Sequence, residues 1–226
     1  MIQNDRRVRI ISGHYGSGKT EFAVNYAVKL AELGGKPVLA DIDIINPYFR
    51  SRERAVQLEE LGIRVIGSSV YAPAVAVPAI AAECYSVFDN RAVDAVVDVG
   101  GDRAGADVLN RFSDHFTHPE EYDLFFVINA NRPSTQSEKQ VEEYIKSIEK
   151  GCGLKVTGLI NTTHMLKSTT AKDLVKGWEL SQSVSMQTGI PVKYNVGLAR
   201  LADEIPDEMK NNFFPIELYM RDDWMS

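Results

Sequence analysis

Residues 13–20 read Gly-His-Tyr-Gly-Ser-Gly-Lys-Thr and satisfy the spacing G-x-x-x-x-G-K-[ST]. The chemistry served by that spacing is the capture of phosphate oxygens. An anion of this kind needs several converging N–H donors and no intruding Cβ. Gly13, Gly16 and Gly18 let the backbone curl around it, and Tyr15 and Ser17 lie within the same curl. Lys19 would set a point charge against the β and γ phosphates, and Thr20 a hydroxyl against Mg²⁺. Lys19 is therefore a candidate catalytic residue as well as a phosphate ligand.

Acidic residues at the ends of apolar runs supply the second half of this chemistry. One run ends Ala40-Asp41-Ile42-Asp43, another Val97-Asp98-Val99-Gly100-Gly101-Asp102. A carboxylate beside a phosphate loop can hold Mg²⁺ directly or through water. Asp98 fits that role, with Thr20 and Asp41 in the same metal shell. Asp43 is placed to orient an attacking water. The backbone N–H of Gly101 could sense the γ phosphate.

These groups must be positioned by strands and helices. Arg7–Ser12 is a β-branched run that reads as a buried strand. Phe22, Ala23, Tyr26, Ala27 and Leu30 then recur at helical spacing until Gly34-Gly35. Strand, glycine loop and helix form the context that gives the motif its meaning. Further strands are expected at Pro37–Asp41, Arg64–Gly67, Ala95–Val99, Leu124–Ile128, Lys155–Asn161 and Pro191–Tyr194, with helices at Arg52–Leu61, Pro78–Phe88, Ser134–Lys150 and Ala171–Thr188. The strands are nearly all-apolar, as suits a sheet covered on both faces. The fold class expected is therefore α/β: three layers around a doubly wound, mainly parallel sheet, in one domain over residues 1–226.

Composition bounds the partners. The net charge of −6 argues against a general affinity for nucleic acid, which would need a basic face. No leader pattern and no run of about eighteen apolar residues is present, so a cytoplasmic protein without membrane attachment is expected. Cys84 and Cys152 lie far apart and read as reduced thiols.

The phosphate loop, the Asp-x-Asp at 41–43 and the Asp-x-x-Gly at 98–101 together resemble the MinD/ParA/nitrogenase-iron-protein group of P-loop ATPases, also called the CobQ/CobB/MinD/ParA nucleotide-binding domain. The likeness runs from about Val8 to about Ile205. It implies a P-loop NTPase fold, Mg²⁺-dependent ATP binding, slow hydrolysis, and a nucleotide-dependent homodimer that signals to a protein partner. By the match, Lys19 is the phosphate lysine, Thr20 the magnesium ligand, Asp43 the switch I aspartate and Asp98 the switch II aspartate. Many members carry an extra lysine after the first loop glycine that reaches across the dimer. Here His14 stands in that place, which leaves the trans-acting charge to another cation such as Arg50, Arg52 or Arg103. Relatives holding an iron–sulfur cluster use cysteines after switch II; residues 98–122 have none, so no cluster is expected.

Guanine-specific P-loop proteins end a strand with Asn-Lys-x-Asp. The corresponding run here is Asn161-Thr162-Thr163-His164, without the acid, which favours adenine, with the amide of Asn161 on the base edge. Asn129 and Asn131 are near-equivalent candidates, and residues 197–202 are expected beside the base. Tyr48 and Phe49 could present a nucleotide-dependent surface. The segment after Asn211 is apolar but not basic, and is expected to dock on its own domain or a partner. His115 and His118 read as loop histidines rather than metal ligands. An ATP-dependent small-molecule phosphotransferase or synthetase of the same fold is the alternative function.

Overall fold

In the computed structural model, the residues described are 2–42, 54–67, 83–101, 103–116, 118 and 120–220. Asp43, Arg50, Arg52, Asp102, Trp224 and the stretches 44–49 and 71–78 lie outside them. Eight strands form one sheet: β1 (Val8–Gly13), β2 (Pro37–Asp41), β3 (Arg64–Gly67), β4 (Asp94–Asp98), β5 (Tyr122–Ile128), β6 (Gly158–Asn161), β7 (Val192–Leu198) and β8 (Phe213–Ile216). Their order is β3-β2-β4-β1-β5-β6-β7-β8, and each neighbouring pair is parallel. Helices connect them: α1 (Lys19–Glu32), α2 (Ala55–Glu60), α3 (residues 83–89), α4 (Arg103–Asn110), α5 (Glu138–Cys152), α6 (Ala171–Thr188) and the short α7 (Asp207–Lys210).

The apolar runs become strands because both of their faces are covered. β5 is buried along its whole length. Leu124, Phe126 and Ile128 enter the core beneath α4 and α5 with Val141 and Ile145. Phe125 and Val127 enter the opposite core with Phe22, Tyr26 and Ala27 of α1. A side-chain period of two thus feeds two cores from one strand. Helix ends follow their local signals. Ser137 and Gln140 close a capping box at the start of α5, and Gly153 ends it in the left-handed region at φ 75°.

Two elements go beyond the sequence expectation. β8 pairs in parallel with β7, and Pro215 is tolerated there because the strand lies at the sheet edge. Phe214 of β8 stacks on Tyr26 with ring centroids 6.0 Å apart, so this part of the C-terminal segment docks on its own fold. α4 is a helix despite Gly105, whose low helix propensity hides the element from a periodicity reading. No helix among the described residues is long and apolar enough to cross a membrane.

Candidate nucleotide-binding site

β1 lies between β4 and β5, so its C-terminal loop sits over the centre of the sheet, where ligands of parallel α/β folds collect. Gly16 and Gly18 adopt φ of 73° and 94°, a backbone that side chains disfavour. The loop is closed by Ser17 N donating to His14 O at 3.0 Å, and tied to the sheet by Thr162 Oγ1 donating to Ser17 O at 2.5 Å. Ser17 is fully buried, whereas Tyr15 stands out at the mouth. Helix α1 begins at Lys19, directly after the loop, which sets the helix N-terminus at the loop. Lys19 is buried to 5% exposure, a costly position for an ammonium unless an anion joins it.

The acid-bearing strands converge on this loop. Thr20 Oγ1 donates to Asp98 Oδ2 at 2.6 Å. The register of β2 on β4 sets Asp41 opposite Asp98, and both are buried. The turn after β4 runs hard against the phosphate loop: a Cβ on Gly101 would stand 1.7 Å from the carbonyl oxygen of Gly13. A hydroxyl beside carboxylates is a hard-oxygen donor set of the kind that suits Mg²⁺. Lys19, Thr20, Asp41, Asp98 and Gly101 are therefore brought together. Asp43 lies outside the described residues.

A cavity of about 470 Å³ extends from Lys19 and Thr20 past His164 to an apolar end at Leu166, Val196, Leu198, Ile216, Leu218 and Met220. Of the 197–202 segment, Gly197 and Leu198 line it. The wall beyond β8 is held by α1. Glu21 Oε1 accepts from the N–H of Tyr219 at 2.5 Å and of Met220 at 3.3 Å, and the Asn25 side chain bonds both backbone groups of Glu217 at 2.9 Å. Sequence reasoning missed these residues. Their signal was a polar pair four positions apart on a helix otherwise rich in buried apolar residues. Leu166 reaches the cavity from a left-handed backbone, φ 57°, braced by Thr169 Oγ1 bonding Leu166 O and Met165 N.

Asn161 departs from expectation. It is fully buried and turned into the fold: Nδ2 donates to Leu174 O at 2.9 Å and to Asn195 Oδ1 at 3.1 Å, and Oδ1 accepts from Thr163 N at 3.1 Å. Both amide hydrogens are used by α6 and β7, which leaves none for a base edge. Asn131 is likewise engaged, donating to Asp173 Oδ1 at 2.9 Å and accepting from Lys176 Nζ at 3.0 Å. The buried Asn129 spends its Oδ1 on Asn131 N at 3.0 Å. From the same strand end, Thr162 and His164 line the cavity instead. His164 Nδ1 donates to Thr162 O at 2.6 Å, since a carbonyl can only accept.

The remaining cations and histidines are placed as follows. His14 turns Nδ1 to Tyr15 O at 2.7 Å and sets its ring edge-on to Tyr144. Arg103 opens α4. His115 Nδ1 lies 3.1 Å from Asp89 Oδ1 and packs on Tyr85. Among the described residues no group of three or more His, Cys, Asp or Glu is arranged to hold a metal ion. Arg132, which the motifs gave no reason to single out, donates from Nε to Gly16 O at 2.9 Å.

A glycine loop between a central parallel strand and a helix, flanked by a parallel strand that ends in an aspartate, is the architecture of the P-loop NTPase fold. No family model and no curated protein sequence matches the chain. Solved structures do match in fold. FtsY of Thermotoga maritima is 20% identical over 93% of this chain and 65% of its own, with a TM-score of 0.56. FtsY of Mycoplasma mycoides is 20% identical over 84% of this chain and 60% of its own, with a TM-score of 0.55. The signal recognition particle 54 kDa protein of Aeropyrum pernix, solved in complex with GDP, is 20% identical over 84% of this chain and 41% of its own, at 0.56. The chain thus spans less than two thirds of the length of these structures, and the likeness defines the fold.

Proposed function

We propose that this chain is a Mg²⁺-dependent ATP-binding and ATP-hydrolysing switch protein, one cytoplasmic domain that acts on a protein partner. The observation that carries the reading is the 2.6 Å bond between Thr20 and Asp98, made beside the buried Lys19 at the phosphate loop. Lys19 would neutralise the β and γ phosphates, Thr20 and Asp98 would hold Mg²⁺ with Asp41 behind them, and Gly101 would meet the γ phosphate. Bound Mg²⁺ supplies charge neutralisation at the transferring phosphoryl group. Catalysis otherwise consists of positioning, with Asp43 orienting the attacking water.

Adenine is the base this reading assigns. A structural neighbour holds GDP, but a guanine's N1–H and N2–H need an acceptor pair such as a carboxylate. Among the described residues the acid that lines this cavity is Glu21, and its carboxylate receives the amides of Tyr219 and Met220. The far end is apolar and suits a stacked adenine ring. The two buried free thiols accord with a reducing compartment.

Calorimetry with Mg²⁺ and ATP, ADP, GTP or GDP tests the reading. ATP is expected to bind at least about tenfold tighter than GTP. Tighter GTP binding would overturn the adenine assignment, and an absence of heat from all four would overturn the site. For the switch, Asp43→Asn protein loaded with Mg²⁺ and ATP is expected to retain nucleotide and to change its mass in solution, through self-association or a co-purifying protein. A monomer that instead turns ATP over only when a small acceptor is supplied would point to the phosphotransferase reading.

A further inference from the structure

We propose that Arg132 is a phosphate-binding cation of the nucleotide site, delivered in cis from the connection between β5 and α5; the proposal rests on the nucleotide reading above. Four observations carry it. First, the guanidinium lies on the phosphate loop itself. Its Nε bonds Gly16 O at 2.9 Å, and a Cβ on Gly16 would stand 3.2 Å from Nε and 3.6 Å from Nη2. The bare face of that glycine is what admits the side chain.

Second, Arg132 lines the same cavity as Lys19 and Thr20. Third, its backbone is fixed. Arg132 N donates to Asn129 O at 3.0 Å, Thr135 N donates to Arg132 O at 3.0 Å, and the fully buried Thr135 returns its hydroxyl to Asn129 O at 2.7 Å. The guanidinium is thus presented by a rigid turn and anchored at one nitrogen. Fourth, no carboxylate among the described residues forms an ion pair with it. A permanent cation with donors to spare, held against a loop built for anions, matches the fork geometry of a phosphate.

Electrostatics agree. A nucleoside triphosphate carries more negative charge than Mg²⁺ and one lysine neutralise. His14 turns Nδ1 to the carbonyl of Tyr15 and sets its ring edge-on to Tyr144. Arg132 supplies a permanent charge at Gly16, already anchored on the loop before nucleotide arrives.

The test is displacement of a fluorescent ATP analogue by ATP, ADP and adenosine in the unaltered chain and in Arg132→Ala and Arg132→Lys, each checked by thermal melting. In Arg132→Ala, affinity for ATP and ADP is expected to fall at least about tenfold while adenosine is unaffected. Arg132→Lys is expected to recover part of the loss, because it keeps the charge and loses the fork. Unchanged ATP and ADP affinities in Arg132→Ala would overturn the proposal. An equal loss for adenosine would also overturn it, by showing that the guanidinium meets the base. If the unaltered chain binds no nucleotide, the nucleotide reading fails first and takes this one with it; if it binds and only the Arg132 arm fails, the nucleotide reading stands.

Discussion

The hydroxyl of Thr20 and the carboxylate of Asp98 meet at 2.6 Å although 78 positions separate them in the chain. The contact exists because β1 and β4 are neighbours, with Ile11 in register with Asp98. It joins the end of the phosphate loop to the end of an acidic strand. In the proposed site these two groups face one Mg²⁺. Asp98→Asn keeps the shape and removes the charge, so Mg²⁺-dependent ATP turnover is expected to fall on the order of a hundredfold or more. A steady-state phosphate-release assay at saturating Mg²⁺ checks this, and near-normal turnover would remove Asp98 from the metal shell.

Lys19 is buried and lines the cavity at the phosphate loop. Lys19→Ala is expected to abolish measurable nucleotide binding, a loss of at least about a hundredfold in affinity. Calorimetry on the folded variant gives the answer. Retained affinity would place the nucleotide elsewhere on the molecule.

Glu21 clamps the C-terminal segment to α1 through the amides of Tyr219 and Met220. Glu21→Ala leaves those two amides without their acceptor, and stability is expected to drop by about 1–3 kcal/mol. Urea denaturation measures the drop. Because Leu218 and Met220 line the cavity, ATP affinity is expected to weaken in the same variant.

Tyr26 and Tyr194 both direct their hydroxyls to the carboxylate of Asp5, Tyr26 at 2.7 Å. Burial raises the phenol pKa of each, and in Tyr26 the neighbouring Tyr194 and Asp5 add to it, as Asp5 does in Tyr194. Both phenols are protonated in folded and unfolded chains below about pH 10, so their effect on stability is constant there. Above that, the unfolded chain loses the protons first, and stability falls as pH rises. Ultraviolet titration is expected to show two tyrosines that ionise only as the protein unfolds. Ionisation of Tyr26 and Tyr194 near pH 10 with the fold intact would refute the buried cluster.

The thiols of Cys84 and Cys152 are buried and free. Burial pushes Cys84 up to about 12, with Glu83 adding to the shift, and also raises Cys152. Because the thiolate is the reactive form, an aromatic disulfide reagent is expected to react with neither in the native protein at pH 8, and with both once urea unfolds it. Fast native reactivity would contradict the packing around α3 and α5.

The strands were legible because their apolar runs are local and the two-sided burial they require leaves one fold class. Pro37–Asp41 and Arg64–Gly67 stand where hydropathy placed them, and α6 spans Ala171–Thr188 as read. β8 and α4 were obscured by Pro215 and Gly105, residues whose local preference is overridden by the sheet edge and by helix packing.

By itself, the sequence determined the phosphate loop: eight contiguous residues fix both the backbone path and the charged group, so no distant contact is needed to recognise it. Only the tertiary structure decided which side chains remain available to a ligand. Asn161 carries the right chemistry for a base edge, yet α6 and β7 consume its amide hydrogens. Arg132 and Glu21 carry no motif, yet strand order places one on Gly16 and the other beneath Tyr219. A hydrogen-bonding group can satisfy only so many partners, and which ones reach it depends on segments brought together by the fold, from 13 positions away for Asn161 and Leu174 to 198 for Glu21 and Tyr219.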